Sequence, residues 1–335
     1  MQLQKNMNNY MSSSCIGISR WLYLIILSIA TAVALLPYWP EARLFSLGGY
    51  ALLFAPRWWI LALPVILLLT YRRLNRWQQF SILPITLICI NFTDVQWIPH
   101  FSESTSERLE VRIMSVNIGN NTNQQKLLKA IKDNQPYVVF LQEARKPAMD
   151  RLFNDDWITD CAGSLCIASR FSLERIGDLN RRSLGGWGSY AAKYEADIFG
   201  QTVQLLNVHL DTPRTVLENL IHLNIDFSDA EHSVQNRNIQ ASVVSNWLTK
   251  NKPFIIAGDF NMPVNENIYR HYLGHLGNAL DYSSLGLRYT KYTKWHGIRI
   301  DHILFNDSFV VKEAKVLGDF GGDHRPIVTV LGQTL

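Results

Sequence analysis

The sequence has few charged residues and few cysteines for its length, and these shortages narrow the class of protein. Asp, Glu, Lys and Arg make up 18% of the 335 residues, below the roughly 25% that is usual for soluble domains. Its four cysteines are too few for a disulfide scaffold. Hydrophobic residues reach 47%, and no repeat or low-complexity tract is present, which excludes a disordered or collagen-like chain. We therefore expect an ordered chain of about two domains.

A strong basic excess is also missing outside the N-terminal third. The formal net charge is +4. Residues 1–108 hold eight basic and four acidic residues, whereas residues 109–335 hold 24 of each. A neutral C-terminal part argues against a dedicated nucleic-acid-binding domain and leaves room only for a local basic cleft.

The N-terminal third contains three long apolar segments. They span about 21–38, 50–71 and 80–98, and each reaches the roughly 17–25 residues that a helix needs to cross a bilayer. Aromatic residues of the kind found at membrane interfaces lie near their ends: Trp21, Tyr38, Trp39, Tyr71, Trp77 and Trp97. Arg57 lies near one end of the second segment, where we expect it to snorkel towards water. The sequence thus predicts a membrane region over residues 1–99 with about three transmembrane helices.

The distribution of arginines predicts the topology of these helices. Arg72, Arg73 and Arg76 lie between the second and third segments, whereas the loop before the second segment carries only Arg43. The positive-inside rule then places the N-terminus in the cytoplasm and the chain beyond residue 99 on the periplasmic or extracellular side of an inner or plasma membrane. Three alternatives stay open, and one is that the second segment is re-entrant, because Arg57 is costly in the middle of a membrane. The first segment is also consistent with an uncleaved signal sequence, and the third with an interfacial helix, which would invert the topology.

Cys161 and Cys166 allow two interpretations. They are five residues apart, with a Gly-Ser between them, so they can close a disulfide in an oxidising compartment. They are equally consistent with two small buried residues.

Residues 109–335 follow a polar linker at 100–108 and alternate short β-branched runs with helical ones. The pattern predicts strands at 111–116, 137–142, 165–169, 188–194, 203–208, 254–257, 300–305 and 327–331, and helices at 124–134 and 236–247. Many strands with a few helices predict a single layered α/β domain. The stretch 217–235 is predicted to be a loop on the substrate side.

Polar side chains follow or interrupt many of these strands. Eight of them form the candidate site: Asn117, Glu143, His209, Asp259, Asn261, Asp301, Asp323 and His324. The ends of buried strands share one edge of a layered sheet, so we expect these side chains to lie close together. Asn117, Glu143 and Asp323 are oxygen donors that suit Mg²⁺ or Mn²⁺. No Cys/His cluster indicates zinc.

The remaining candidates suit proton transfer and charge stabilisation. His324 is a candidate general base, with Asp301 as the carboxylate that orients it. His209 is a candidate donor to a phosphoryl oxygen, and strand periodicity predicts that Asp259 and Asn261 share one face. Each residue alone is more often a turn or cap residue. The ordered set predicts a hydrolytic site for phosphate esters.

Six motifs carry a resemblance to a known family: VNIG at 116–119, LQEA at 141–144, NVHL at 207–210, GDFN at 258–261, RIDHI at 299–303 and GDHRPI at 322–327. In this order, and with Arg237-x-x-Gln240 ahead of GDFN, they resemble the endonuclease/exonuclease/phosphatase superfamily. Its members include deoxyribonuclease I, AP endonucleases, neutral sphingomyelinases and inositol-polyphosphate 5-phosphatases. The resemblance covers about residues 109–332. It implies a four-layer α/β/β/α sandwich, Mg²⁺ dependence, and hydrolysis of a phosphodiester or phosphomonoester.

The resemblance also implies a role for each residue at the metal. Asn117 and Glu143 would hold the divalent ion, and Asp323 would assist there. Three departures matter, and one is that AP endonucleases carry a different residue where His209 stands in NVHL. Gly119 stands where AP endonucleases carry an acidic residue, and His302 stands where Tyr or Phe is common. The AP endonuclease class is therefore disfavoured.

The implied catalytic roles fall on the other five positions. Asp259 and Asn261 would orient the nucleophilic water and stabilise the developing charge. Asp301 would orient His324, the general base. His209 would contact the scissile phosphate, as in deoxyribonuclease I-like members.

The leading hypothesis is a membrane-anchored, metal-dependent phosphoesterase that acts outside the cytoplasm. Its substrate would be a phospholipid headgroup or a small phosphodiester, which tethering and the neutral domain favour. A nuclease acting on DNA or RNA is the alternative, with a phosphate groove formed by Arg145, Lys146, Arg181 and Arg182. A non-catalytic membrane-bound module on the same fold is the second alternative.

Overall fold

The computed structural model describes residues 2–98, 109–119, 121–283 and 285–334. The predicted linker at 100–108 lies outside the described residues. We refer to residues 2–98 as the N-terminal region and to residues 109–334 as the C-terminal domain.

The N-terminal region is helical. Its elements are α1 (Gln2–Ala34), α2 (Arg43–Phe54), α3 (Ala62–Thr70) and α4 (Arg76–Phe92), followed by a short strand β1 (Val95–Gln96). Helices α1, α3 and α4 pack together around an apolar core that includes Ile26, Ile60, Leu67, Ile85 and Cys89. Large apolar side chains also cover their outer surface: Trp21, Leu24, Ile25, Val65, Leu68, Leu69, Trp77, Phe80, Leu83 and Leu87.

Within the described residues, one helix is long and apolar enough to cross a membrane without a break, Gly17–Ala34. The second predicted segment, 50–71, is not one helix. The chain bends by 88° between 44–54 and 57–73, because Pro56 disfavours helical backbone at Ala55 and has no amide hydrogen to continue α2. The helix that covers the third predicted segment, 80–98, is α4. It begins at Arg76 and ends at Phe92, so it has 17 residues and stops before the predicted end of the segment.

Arg57 does not snorkel towards water, contrary to the expectation from the sequence. Only 3% of it is exposed. Its guanidinium donates to the carbonyl oxygens of Leu53 at 3.0 Å and Phe92 at 3.3 Å, and to Asn265 Oδ1 at 3.4 Å. The bend at Pro56 turns Arg57 inwards, against the C-terminal domain.

The C-terminal domain contains five helices and fifteen strands among the described residues. The helices are α5 (Gln124–Asn134), α6 (Lys146–Leu152), α7 (Arg214–Ile221), α8 (Phe227–Asn246) and α9 (Asn267–Tyr272). The strands are β2 (Glu110–Asn117), β3 (Val138–Gln142), β4 (Ile158–Ala162), β5 (Leu165–Ser169), β6 (Leu173–Asn180), β7 (Ser189–Ile198), β8 (Gln201–His209), β9 (Phe254–Asp259), β10 (Gly277–Asn278), β11 (Gly286–Leu287), β12 (Lys291–Tyr292), β13 (Gly297–Ile298), β14 (Asp301–Phe305), β15 (Phe309–Val316) and β16 (Ile327–Gln333).

Two six-stranded sheets form the centre of this domain. Sheet I has the order β10-β14-β9-β8-β7-β6, and sheet II has the order β15-β16-β2-β3-β5-β4. Each is mixed, with one parallel pair, β8 with β9 in sheet I and β2 with β3 in sheet II. Two short ribbons, β1 with β11 and β12 with β13, lie outside the sheets.

Alternation along the strands separates three apolar layers. Leu205 and Ile255 point into the core between the two sheets. Their neighbours Leu206 and Ile256 point outwards to the helical layer of α8 and α9, and α5 and α6 cover the outer face of sheet II. Strands buried on both faces read as continuous apolar runs. The predicted α/β class is confirmed, and the two large sheets with outer helices are consistent with the four-layer arrangement.

Several elements of the C-terminal domain differ from the sequence expectation: the strands β4, β6 and β15, the two-residue strands β10 to β13, the short helices α6, α7 and α9, and the segment 217–235. The missed strands β4, β6 and β15 lie at sheet edges, where charged side chains alternate with apolar ones and mask the strand pattern. The predicted loop 217–235 is largely helical. Asp226 caps α8 by accepting from the amides of Ser228 and Asp229, so the helix begins nine residues before the expected start at 236.

Cys161 and Cys166 form a disulfide. They are directly opposed in the antiparallel pair of β4 and β5, so the bond staples the edge strand of sheet II to its neighbour. The sequence leaves open a disulfide or two small buried residues, and in the structure the two cysteines are bonded.

Helix α2 belongs to the core of the C-terminal domain although it precedes α3 and α4 in the chain. It packs against α7 and α8, and its residues Leu47 and Tyr50 are 8% and 3% exposed within the apolar layer of α8 and α9. The N-terminal region and the C-terminal domain therefore share one core layer.

Candidate active site

The predicted site residues meet at one edge of the two sheets. The parallel pairs bring Asn117 opposite Gln142 in sheet II and His209 opposite Asp259 in sheet I. The antiparallel pair of β14 and β9 places Asp301 opposite Asp259. Strand ends that are far apart in the chain thus share a single cleft, as the polar strand ends predict.

Asn117 joins the two sheets across this cleft. Its Nδ2 donates to Glu143 Oε1 at 3.0 Å and to Asp259 Oδ2 at 3.1 Å. Asn117 is 1% exposed, whereas 43% of the Glu143 side chain is exposed. The carboxylate of Glu143 therefore points into the open part of the cleft.

Three predicted metal ligands surround Gly119. A Cβ atom placed on Gly119 would lie 3.8 Å from Asp323 Oδ1 and 3.9 Å from both Asn117 Oδ1 and Glu143 Oε2. The missing side chain leaves a space bounded by three oxygen atoms, which we call the oxygen cradle. An all-oxygen donor set with room for water suits Mg²⁺ or Mn²⁺, because Mg²⁺ keeps several of its waters. The residues present therefore fit a hydrated divalent ion.

A second group of donors lies deeper in the cleft. The ligand atoms of Asp259, Asp301 and His324 all lie within 4.8 Å of one another, and the three residues are buried. These atoms already contact each other and neighbouring groups. Asp259 Oδ1 accepts from the Asn261 amide at 2.9 Å. The group is less open to an ion than the oxygen cradle is.

His324 and Asp301 form the buried pair that the sequence predicts. His324 Nδ1 lies 2.9 Å from Asp301 Oδ2 and 3.0 Å from Oδ1, and both residues are under 5% exposed. Thr290 Oγ1 accepts from the Asp301 amide at 3.0 Å and holds the start of β14. Burial lowers the pKa of His324, but the carboxylates of Asp301 and Asp259 outweigh burial and raise this pKa to about 9.

The two buried carboxyl groups have opposite pKa shifts. Burial raises the pKa of Asp301, and the His324 charge does not fully offset this. Burial also acts to raise the pKa of Asp259, but the charges of His324, His209 and Lys291 outweigh it and lower that pKa. Asp259 is thus more strongly ionised than Asp301.

Lys291 is a site residue that the sequence analysis missed. Its Nζ lies 2.6 Å from Asp323 Oδ2 and 2.8 Å from His324 Nε2, and a backbone bridge joins Lys291 to His324. Burial acts to raise the pKa of Asp323, but the bond and charge of Lys291 outweigh it and lower that pKa. A lone lysine between motifs gave no sequence signal, because its contacts depend on the pairing of distant segments.

His209 lies at the cleft, and among the described residues its side chain makes no hydrogen bond there. Its Nε2 is 3.8 Å from Asp259 Oδ2 and 3.9 Å from Glu143 Oε1. Arg181 fixes its backbone by donating to the His209 carbonyl oxygen, and the same guanidinium contacts Asp211 Oδ1 at 2.5 Å. The imidazole is therefore held at the cleft with its Nε2 available.

Two of the four basic residues suggested for a phosphate groove are engaged elsewhere. Arg181 has an exposed side-chain fraction of only 16% and makes the contacts just described. Lys146 pairs with Asp150 at 3.1 Å along helix α6. Arg145 and Arg182 are exposed. Arg181 and Lys146 thus contact acidic side chains of the domain, and a groove formed by all four residues stays a prediction.

Asn261 reaches the site by a turn and not by strand alternation. β9 ends at Asp259, and Asn261 has a φ of 50°. The Asn261 Nδ2 donates to the Leu210 carbonyl oxygen at 2.9 Å. Arg237 Nη2 donates to the carbonyl oxygen of Asn261 at 2.6 Å. The side chain thus holds the turn beside Asp259. Strand periodicity was the wrong reason for its placement.

His302 is in the core and faces away from Asp301. It is 0% exposed. Its Nε2 donates to the Met262 carbonyl oxygen at 2.8 Å, and its Nδ1 accepts from Asn278 Nδ2 at 3.0 Å. Burial lowers the pKa of His302 to about 4, so the ring is neutral and fixed in one tautomer.

The arrangement matches a known family. A family model described as "Endonuclease/Exonuclease/phosphatase family" matches residues 114–324. This span covers more than half of the chain and includes all eight candidate site residues. The chain belongs to this family. No similar sequence was found among curated proteins.

Solved structures share the fold of this chain at low sequence identity. A family protein from Bacteroides thetaiotaomicron is 17% identical with a TM-score of 0.51, and the match covers 68% of this chain and 100% of that chain. A humanised D. rerio TDP2 is 17% identical with a TM-score of 0.52, covering 67% and 99%. A beta toxin from Staphylococcus aureus is 14% identical with a TM-score of 0.50, covering 65% and 99%. About a third of this chain lies outside each match.

Proposed function

We propose that the protein is a membrane-anchored, metal-dependent phosphoesterase that hydrolyses a phosphodiester or phosphomonoester on the extracytoplasmic side. The observation that carries this proposal is the buried Asp301–His324 pair beside the oxygen cradle. Family membership supports a phosphoesterase or nuclease. The pair supplies a positioned base, and the cradle supplies the place for a cation.

Asn117, Glu143 and Asp323 would hold Mg²⁺ or Mn²⁺. When bound, the ion supplies positive charge that neutralises a phosphoryl oxygen. The Asp259–Asp301–His324 group is the less suitable ligand set, since Asp301 and His324 use their facing atoms on each other.

The base is held in one orientation by its neighbours. Asp301 accepts the proton of His324 Nδ1, which leaves Nε2 facing Lys291 Nζ at 2.8 Å. From there Nε2 can take a proton from water as it attacks phosphorus. His209 Nε2, on the other side of Asp259, can donate to a phosphoryl oxygen. Asn261 and Arg237 keep Asp259 in place and need not touch the substrate.

Four observations support membrane anchoring outside the cytoplasm. Gly17–Ala34 is long and apolar enough to span a bilayer, and the outer surface of α1, α3 and α4 is apolar, as expected for helices in lipid. The Cys161–Cys166 disulfide favours an oxidising compartment. The arginines between the second and third segments favour a cytoplasmic loop there.

A substrate in the lipid phase is favoured over nucleic acid. The C-terminal residues are neutral in net charge, and Arg181 and Lys146 bind acidic groups of the protein itself. A nuclease remains the second candidate, because a related solved structure is described as D. rerio TDP2 in complex with a single-strand DNA product. A non-catalytic module is disfavoured by the complete set of site residues.

An activity panel on the full chain tests the proposal. The protein in lipid nanodiscs is assayed with Mg²⁺ or Mn²⁺ against bis(p-nitrophenyl) phosphate, sphingomyelin, phosphoinositides, RNA and plasmid DNA. We expect hydrolysis that EDTA abolishes and that His324→Ala lacks. Cleavage of nucleic acid alone would favour the nuclease, and no cleavage of any substrate would favour the binding module. The isolated C-terminal domain is unsuitable, because it would lose the core contacts of Leu47 and Tyr50.

A further inference from the structure

One carboxylate of the N-terminal region lies between two arginines of the C-terminal domain. Asp94 follows α4 and is 3% exposed. Arg299 Nε donates to its Oδ2 at 2.8 Å and Arg299 Nη2 to its Oδ1 at 2.9 Å. Arg288 Nη2 donates to the same Oδ1 at 2.6 Å. Asp94 thus satisfies two guanidinium groups at once, one of them by a bidentate contact.

These two arginines flank the segments that meet at Asp301. Arg299 is two residues before Asp301, and Arg288 is two residues before Thr290. Thr290 Oγ1 accepts from the amides of both Ile300 and Asp301. Asp94 therefore holds both segments in the register that places the Asp301 carboxylate against His324.

Further contacts from the same turn act in the same direction. The Tyr289 hydroxyl donates to the Thr93 carbonyl oxygen at 2.7 Å. Val95 and Gln96 pair as β1 with Leu287 and Gly286 of β11. The turn after α4 is thereby bonded to the chain on the N-terminal side of Thr290.

Among the described residues, the only other acidic partner of these two arginines is Asp281, and its ion pairs are more exposed to water than those of Asp94. Asp281 Oδ1 accepts from Arg299 Nη1 at 2.8 Å and from Arg288 Nη1 at 3.1 Å, but 49% of its side chain is exposed. Arg299 itself is 2% exposed. Without Asp94, a buried guanidinium would keep one half-exposed partner and would move towards water.

We propose that Asp94 is a positioning residue for the Asp301–His324 pair, so that the N-terminal region completes the active site as well as anchoring it. This inference rests on the proposed function for its kinetic readout only. Asp94 touches no reacting atom. It acts through Arg299 and Arg288 on the segments that hold Thr290 and Asp301, and a misplacement of about 1 Å there can lower turnover by about a hundredfold.

The test compares Asp94→Asn with Glu195→Gln in the full chain in nanodiscs. Glu195→Gln is the control, because this substitution also removes one carboxylate charge. Glu195 pairs with Lys252, and this pair is remote from the site. Hydrogen–deuterium exchange is measured over 286–303, and kcat and KM are measured with bis(p-nitrophenyl) phosphate and Mg²⁺. We expect Asp94→Asn to raise exchange in this segment and to lower kcat by about a hundredfold with little change in KM. Glu195→Gln should leave both as in the wild type.

Two more variants keep the test decisive. Asp94→Glu restores the charge and should recover part of the turnover. If Asp94→Asn fails to fold, Tyr289→Phe removes only the bond to Thr93 and should raise exchange at 288–291 and lower kcat by a smaller factor. Wild-type exchange and wild-type kcat in folded Asp94→Asn, or in Tyr289→Phe if Asp94→Asn does not fold, would overturn the inference. A wild-type protein that cleaves nothing would instead contradict the proposed function. The exchange measured over 286–303 in Asp94→Asn would then still show whether Asp94 holds this segment in place.

Discussion

Lys291 Nζ lies 2.8 Å from His324 Nε2, on the side of the imidazole opposite Asp301. The proposed base therefore lies between a carboxylate that favours its protonated form and an ammonium that disfavours it. Lys291 also binds Asp323 at 2.6 Å, so one side chain links the base to the oxygen cradle.

Replacing Lys291 should shift the pH dependence of catalysis. The positive charge of Lys291 opposes protonation of His324, so Lys291→Met should raise the pKa of His324 further. A general base works in its unprotonated form, and the rising limb of kcat/KM should therefore move to higher pH. Full pH profiles of both proteins check this. A limb that stays in place or moves to lower pH would argue against His324 as the base.

Loss of the base should nearly abolish turnover. His324→Ala should lower kcat by about two orders of magnitude or more. It should also destabilise the fold, since Asp301 is left buried without its partner. His302→Ala is the control. It should lower the melting temperature because His302 is a core residue, while kcat per folded molecule stays near the wild-type value. Similar kcat losses in both variants would contradict the assigned roles.

The buried His302 should make stability pH-dependent. Its pKa is lowered to about 4 in the fold, against about 6.5 in an unfolded chain. Between these values the unfolded chain binds a proton that the folded chain does not, so stability falls as the pH drops from about 6.5 to about 4. The loss attributable to His302 should total about 3 kcal/mol. Denaturant titrations of the wild type and His302→Gln at pH 7 and pH 4.5 measure it, and an equal pH effect in the two proteins would exclude His302 as the cause.

The space at Gly119 should be required for the divalent ion. A Cβ there would enter the oxygen cradle, so Gly119→Ala should weaken Mn²⁺ binding measured by electron paramagnetic resonance. Gly185→Ala is the matched control, because Gly185 also has a positive φ, of 77°, but has no atom near its missing side chain. Both carry backbone strain, and Gly119→Ala alone should lose Mn²⁺. Equal binding by the two variants would place the ion elsewhere.

The predicted topology places the C-terminal domain outside the cytoplasm. A reporter fused after residue 108 should report an extracytoplasmic location, as the arginines at 72, 73 and 76 predict. In cells that express the full chain, Cys161 and Cys166 should resist maleimide labelling until they are reduced. A cytoplasmic reporter signal would show that the third segment does not cross.

Much of the C-terminal domain could be predicted from local sequence. Buried strands such as β3 and β9 are short apolar runs, and the polar residues that end them fall at one sheet edge because each sheet has a parallel pair. The positions of Asn117, Glu143 and His209 could be predicted in this way. The edge strands β6 and β15 were missed, because one side of an edge strand faces water and carries charge.

The contacts between distant segments could not be predicted. Asp94 contacts Arg299, which lies 205 positions away in the chain, and Lys291 contacts Asp323, 32 positions away. Neither Asp94 nor Lys291 has a motif around it. The apolar run at 50–71 looked continuous in composition. The tertiary preference of Leu47 and Tyr50 for the layer of α8, together with Pro56, divides it into two helices.

Helix α2 also has a consequence for how the chain is made. Synthesis runs from the N-terminus, so α2 emerges well before α8, the helix that it covers. The C-terminal domain would then close its last core layer against a helix synthesised long before it, so this layer could not be completed until α8 had been made and had reached α2.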